Sequence, residues 1–149
     1  MAIIINFMRN KTISTMKSTV RMIEDEVYVS QNELGHEVRI DMRKPDLKKN
    51  QSPVELLLSA VGACGAVDIT IMLKKRKKSI IEFITLTEGT RKEDHPKSFT
   101  KVHCHYKITS PDITEDELYK IAKLSLEKYC SVADSLKVKV TFSVEVVKP

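Results

Sequence analysis

Three cysteines, Cys64, Cys104 and Cys130, are the residues of this 149-residue sequence best suited to covalent chemistry. No two are close in sequence, so they form neither a CxxC redox turn nor a close-spaced zinc pair, and an odd number argues against a secreted disulfide scaffold. Distant thiols brought together by a fold can still run a redox cycle, in which one becomes a sulfenic acid and the other condenses with it. Cys64 lies in Ser59-Ala60-Val61-Gly62-Ala63-Cys64-Gly65-Ala66, where five of eight residues are Gly or Ala. Such small neighbours either let another backbone pack close, with Cys64 a small buried hydrophobe, or leave a pocket above its sulfur. Cys130, in Lys128-Tyr129-Cys130-Ser131, falls where a helix should end, on a turn freer to move than a helix interior; its other reading is a packed cysteine. Cys104 alternates with Val102 and Tyr106 on one strand face and reads as core. His103 and His105 take the opposite face from Cys104, so they read as a solvated polar face, and no metal site is expected.

The elements that must position these residues begin near Thr19. Val20 and Met22, then Val27 and Val29 beyond Glu24-Asp25-Glu26, then Val38, Ile40 and Met42 beyond Gly35 alternate as strands do and predict a three-stranded antiparallel meander. Residues 1–16 do not continue that pattern and are read as an N-terminal extension, leaving 17–149 as a single domain. Ser52-Pro53-Val54-Glu55 is a helix start with a capping box, and the helix it opens should run to about Lys77. It is apolar on almost every side, through Leu56, Leu57, Leu58, Val61, Val67, Ile69, Ile71, Met72 and Leu73. That predicts burial all round, among other elements or a second subunit. Strands Ile80–Thr90 and Phe99–Thr109 form a hairpin, Thr114 with Glu117 starts a second helix ending near Tyr129, and Val138–Val146 is a last strand. The layout is α+β, with antiparallel sheets around a long buried helix.

Composition narrows the setting. A net charge of +5 licenses weak attraction to anions and no more. The apolar stretch from Leu56 to Leu73 carries Ser59, Asp68 and two glycines and falls short of a clean membrane span, and no signal-peptide pattern is read at the N-terminus. The expectation is a soluble cytoplasmic protein with reduced thiols and no membrane association. Gly62-Ala63-Cys64-Gly65 matches the GXXG of a KH domain, and five basic residues, Lys74 to Lys78, follow on the same helix. In a KH domain, however, GXXG is a loop, and a basic run at a helix C-terminus offsets the helix dipole. No nucleic-acid partner is therefore expected.

Ser52-Pro53-Val54-Glu55-Leu56-Leu57-Leu58-Ser59-Ala60-Val61-Gly62-Ala63-Cys64, followed 66 residues later by Tyr129-Cys130-Ser131-Val132-Ala133, resembles the two signature regions of the OsmC/Ohr family, the osmotically inducible and organic-hydroperoxide-resistance proteins. The similarity runs from about Met16 to the end. It implies an OsmC-like fold in an intertwined homodimer, its central helices wrapped by sheets from both chains. It also implies a peroxidatic role for Cys64 and a resolving role for Cys130. The activity implied is thiol-dependent reduction of organic hydroperoxides, and of hydrogen peroxide as a further substrate, with an external dithiol restoring the pair and no metal or bound cofactor.

Such a thiolate needs a cation or hydrogen-bond donor nearby, because burial alone disfavours it. Here the sequence departs from the best-characterised members. They place an arginine in the first hairpin turn, where this chain has Glu24-Asp25-Glu26, and a glutamate directly after the helix-start proline, where it has Val54. Glu55 comes one place later, about 180° around and about 13 Å along the helix from Cys64, and capping explains it without catalysis. Asp68, one turn beyond Cys64, would disfavour a thiolate if unpaired. Arg21, Arg39 and Arg43 are the candidate compensating cations, Arg39 and Arg43 being nearest the loop into the helix. The departure resembles the OsmC-like branch of the family. A second reading follows, a non-enzymatic stress-related small-molecule binder that keeps the fold with its thiols idle.

Overall fold

The structure, a computed structural model, describes residues 15–149; residues 1–14 of the expected N-terminal extension lie outside the described residues. The chain divides into two compact units, one ending at Ser52 and the other running from Pro53 to Pro149. In the first, β1 (Ser18–Glu24), β2 (Val27–Asn32) and β3 (Glu37–Asp41) form the antiparallel meander that their alternation predicts. Val27 and Val29 on β2 are buried. The β2–β3 turn passes through Gly35 at φ 86°. Asn32 Oδ1 closes this turn by accepting from the backbone N–H groups of Leu34 and His36, the local side-chain bonding that favours asparagine in turns.

After β3 the chain is held by one buried carboxylate. Asp41 is fully buried and accepts from Arg43 Nε and Nη2 at 3.0 and 2.6 Å and from the backbone N–H groups of Arg43 and Lys49. The Arg43 side chain is the largest cause holding the Asp41 carboxyl well below the usual carboxylate range. This bidentate pair folds the lysine-rich segment after β3 back on itself.

The second unit contains α1 (Pro53–Lys75), β4 (Glu82–Arg91), β5 (Phe99–Thr109), α2 (Glu115–Leu124), α3 (Ser131–Asp134) and β6 (Val140–Val147). Its sheet has the order β4-β5-β6. The β4–β5 hairpin is antiparallel as expected, but β5 and β6 run parallel. Only antiparallel pairing was expected; the long return through α2 makes the parallel pair possible, since such pairs need a crossover rather than a tight turn. The core is built where Val61, Ile69 and Leu73 of α1 meet Val102, Cys104, Tyr106 and Ile108 of β5 and Leu118, Ile121 and Ala122 of α2.

α1 is buried along one stripe, Val61, Gly62, Gly65, Ile69 and Leu73, whose near-fourfold spacing marks a single helix face. Burial all round is not what the single chain shows. Leu57, Val67 and Ile71 are 37%, 57% and 46% exposed, because the sheet of one unit covers one side of the helix only. α1 is also long and apolar enough to cross a membrane by length and composition, a test that core helices pass as well. Its glycines have a packing reason. A Cβ on Gly62 would collide with Thr87 Oγ1, and one on Gly65 would collide with Tyr106 Oη and stand 3.0 Å from Tyr106 Cζ. The GXXG match is thus a buried helix face, not a nucleic-acid loop. The basic run that follows is partly neutralised, as Arg76 and Lys78 pair with Glu117 at 3.4 and 3.1 Å.

The second helix does not reach Tyr129 as a regular α-helix. Thr114 caps α2 by accepting from Glu117 N–H, while the Glu117 carboxylate is drawn to Arg76 and Lys78. From Ser125 to Tyr129 the chain makes a π-helical turn, closed by Cys130 N–H donating to Ser125 C=O at 2.8 Å. α3 then carries the chain toward β6.

Two outcomes follow for stability. In a helix interior Gly→Ala ordinarily stabilises by about 0.5–1 kcal/mol, but Gly65→Ala should instead lower urea-unfolding stability by about 1–3 kcal/mol, the cost of overpacking, at fixed protein concentration. Asp41→Asn should be less stable than the parent at neutral pH. The depressed carboxyl contributes stability that is present above about pH 4 and lost as pH falls below it. The gap between the two proteins in pH-dependent denaturation should therefore narrow on acidification.

Candidate functional site

α1 carries Cys64, half-buried, one position before Gly65 on the face that meets β5. Cys130 stands at the joint between the π-helical turn and α3, with φ −71° and ψ 90°. Sixty-six residues apart in sequence, the two thiols lie close enough for Cys64 to act on the ionisation of Cys130 through a side-chain hydrogen bond. Cys130 is not on the loose turn expected for it. It is 2% exposed, its N–H is bonded to Ser125, and its C=O accepts from Asp134 N–H at 3.1 Å. A cleft of about 190 Å³, lined by residues including Leu126, Tyr129 and Ser131, opens onto this joint.

Burial pushes the Cys130 thiol up to about 11, with the neighbouring Cys64 and the Asp68 carboxylate adding to the rise and a backbone hydrogen bond involving Ala133 opposing it. At neutral pH Cys130 is therefore a protonated thiol. Asp68 acts on Cys130, and it is not unpaired, since Ser125 Oγ donates to its Oδ2 at 3.2 Å. Ser125, in the π-helical turn, is itself buried. One hydrogen bond thus ties the turn that precedes Cys130 to the helix that bears Cys64.

Two β-strand residues belong to this neighbourhood although sequence reasoning passed over them. Tyr106 is fully buried on β5, tilted against Phe83 with ring centroids 6.2 Å apart, and its ionisation is affected by Cys104, Cys130 and Cys64. Among the described residues its Oη makes no hydrogen bond of ordinary geometry, its side-chain interaction with the Cys104 thiol being a weak one, and Oγ1 of Thr85, the residue opposite it on β4, has no partner among them. Leaving a buried hydroxyl unpaired costs about 1–3 kcal/mol. The signal for Tyr106 was present in the alternation that places it on the same face as Cys104. Cys104 is buried there beside Thr87 Oγ1 at 3.9 Å, its thiol pushed up mainly by burial, which agrees with its reading as core.

The other named residues each have surroundings of their own. Glu55 is exposed in the first turn of α1, where capping and the helix dipole favour a carboxylate. Arg21 pairs with Glu37 at 3.2 Å and Arg43 with Asp41, so both are engaged within the first unit. Arg39 is exposed on β3 opposite Val29. His103 and His105 do take the opposite face of β5 from Cys104, part-exposed as expected and also bonded into a polar ladder. Their ring nitrogens contact Thr141, Ser143 and Glu145 of β6 at 2.8–3.2 Å, and Lys107 Nζ continues it to Glu145 at 2.8 Å. Lys107 is the first cause, and His105 the second, of a Glu145 carboxyl held below its ordinary range.

Residues 46–145 match the sequence pattern of OsmC-like protein. Protein YhfA of Escherichia coli K12 is 32% identical over 134 residues, which span 89% of this chain and 98% of that protein. Among solved structures, an OsmC-like protein from Mycoplasma pneumoniae superposes with a TM-score of 0.78 at 20% identity, covering 90% of this chain and 98% of its own. An organic hydroperoxide resistance protein from Elizabethkingia anophelis does so with a TM-score of 0.66 at 19% identity, covering 92% and 99%. These two structures share the fold of this chain.

The raised Cys130 thiol gives a direct check. Below about pH 11 its thiolate fraction grows about tenfold per pH unit. Peptide-resolved mass spectrometry with iodoacetamide should therefore show Cys130 alkylation accelerating by about that factor per unit between pH 7 and 10.

Proposed function

This chain belongs to the OsmC-like protein family, and from that premise we propose that it is a thiol-dependent peroxidase reducing organic hydroperoxides, and hydrogen peroxide as a further substrate. The observation that carries this reading is the meeting of Cys64 and Cys130 from separate elements. The organic hydroperoxide resistance protein of E. anophelis, which shares the fold, is consistent with it. The Cys64 thiolate attacks one peroxide oxygen, the O–O bond breaks, and the alcohol leaves after taking a proton, with Cys64 left as a sulfenic acid. The Cys130 thiol then attacks the Cys64 sulfur, an S–S bond forms as the S–O bond breaks, and the thiol's proton leaves with the departing hydroxyl as water. A dithiol from outside the chain reduces the disulfide and is itself oxidised. The cycle requires no metal and no bound cofactor.

The burial of Cys130 suits the second role. A protonated thiol does not compete for peroxide, and it reacts when the electrophilic sulfenic acid appears beside it. The exposed apolar side of α1, Leu57, Val67 and Ile71, supports a homodimer in which a second copy covers it, with residues 17–149 acting as one domain of a cytoplasmic protein. The engagement of Arg21 and Arg43 by carboxylates of the first unit favours a second reading, a stress-related small-molecule binder with idle thiols.

A single experiment separates the two readings. Reduced protein is mixed with stoichiometric cumene hydroperoxide or hydrogen peroxide and mapped by mass spectrometry. A peroxidase yields a Cys64–Cys130 disulfide within seconds, faster with the organic peroxide, and Cys130→Ser traps a sulfenic acid at Cys64. Thiols still reduced after minutes would leave the binder.

A further inference from the structure

The peroxidase reading leaves open what holds charge on the reacting sulfur, since Arg21 and Arg43 are paired within the first unit. The layer between α1 and the sheet contains a donor with no present use. Tyr106 is fully buried, and among the described residues its Oη has no hydrogen-bond partner of ordinary geometry. That oxygen stands against Gly65, so close that any side chain there would collide with it. Gly65 is the residue after Cys64, so the glycine that brings the helix onto the sheet also brings the phenol to the thiol-bearing turn. We propose that Tyr106 Oη is the hydrogen-bond donor that stabilises the Cys64 thiolate, and that the small residue at position 65 exists to admit it.

The chemistry of the layer supports this assignment. The titratable groups facing the phenol are Cys104 on its own strand, Cys64 on α1 and Cys130 at the joint before α3, with Asp68 acting through Cys130. A protonated thiol is a weak acceptor and a thiolate a strong one. Among the described residues the hydroxyl has only a weak interaction with the Cys104 thiol and no strong acceptor, so it is available to a sulfur that ionises. Cys104 and Cys130 are buried whereas Cys64 is only half-buried, so Cys64 is the most accessible of the three sulfurs to a substrate. Burial first, and then the surrounding thiols, hold the phenol itself far above its ordinary range. It stays a neutral donor at every pH at which Cys64 would work. Oγ1 of Thr85, directly across the β4–β5 ladder, is a second unpartnered hydroxyl in the same layer.

The inference rests on the peroxidase reading for its purpose but is tested without peroxide. Tyr106→Phe removes Oη and keeps the ring against Phe83. In the full chain, Cys64 alkylation by iodoacetamide is followed from pH 5 to 10 by peptide-resolved mass spectrometry. The variant should show the Cys64 profile displaced upward by about one pH unit and alkylation at pH 6–7 slowed by about tenfold, the effect of losing one hydrogen bond to a charged group. Its urea midpoint should be no lower than the parent's, because the deleted hydroxyl makes only a weak interaction with the Cys104 thiol. A Cys64 profile unchanged in Tyr106→Phe would overturn the proposal and leave Tyr106 a packing residue. If that variant does not fold, Cys104→Ser and Gly65→Ala supply the same readout. A normal profile in the first and an upward-shifted one in the second support the phenol, and an unshifted profile in a folded Gly65→Ala overturns it. A parent protein inert to peroxide would remove the peroxidase reading alone, whereas disulfide formation in the parent with an unshifted Tyr106→Phe profile would remove this inference alone.

Discussion

The contact between the glycine face of α1 and the inner face of β4 and β5 is the constraint on which the second unit depends. Gly62 admits Thr87 and Gly65 admits Tyr106, so these two strand side chains rest directly against the helix backbone. Close approach of this kind fixes both rotation and height of the helix over the strands, because interiors packed near crystal density tolerate little sliding. Val61, Ile69 and Leu73 then fall into the core on the same stripe. Cys64 is placed by the same contact, between the two glycines and beside the sheet.

Much of this was legible from residue types. The alternation of Val27 and Val29, the helix start at Pro53 and the cap at Thr114 each encode an element locally, and each element forms where its signal lies. The close-packing reading of Gly62 and Gly65 was also legible, though not the partner. What a single sequence does not carry is pairing between distant segments. The parallel register of His103 with Thr141 and of His105 with Ser143 depends on how α2 returns the chain, and no turn residue announces it. The one-sided burial of α1 escaped for a related reason: an apolar helix surface tells what must be covered, not how much of it a single chain covers.

The site divides along the same line. Cys64 and Cys130 stood out as thiols because of what surrounds them in sequence, whereas their meeting is a property of the fold. Tyr106 was seen as a strand residue and missed as a site residue, because an aromatic at a core position is ordinary until its hydroxyl is found without a partner. Of the arginines nearest α1 in sequence, Arg39 is exposed on β3. Arg43 is taken by the buried Asp41, whose two oxygens match the planar fork of a guanidinium.

The π-helical turn from Ser125 to Tyr129 has a consequence for how the thiol pair is kept. Its closing bond spans five residues where an α-helical bond spans four, so the segment contains one residue in surplus. Each helical residue turns the chain by about 100°. Losing that surplus would rotate Cys130 by about that angle and carry its sulfur out of line with Cys64, with every side chain of the pair unchanged. The alignment of the two sulfurs is thus a matter of counting: it is set by the length of the segment between α2 and α3, and only secondarily by what that segment is made of.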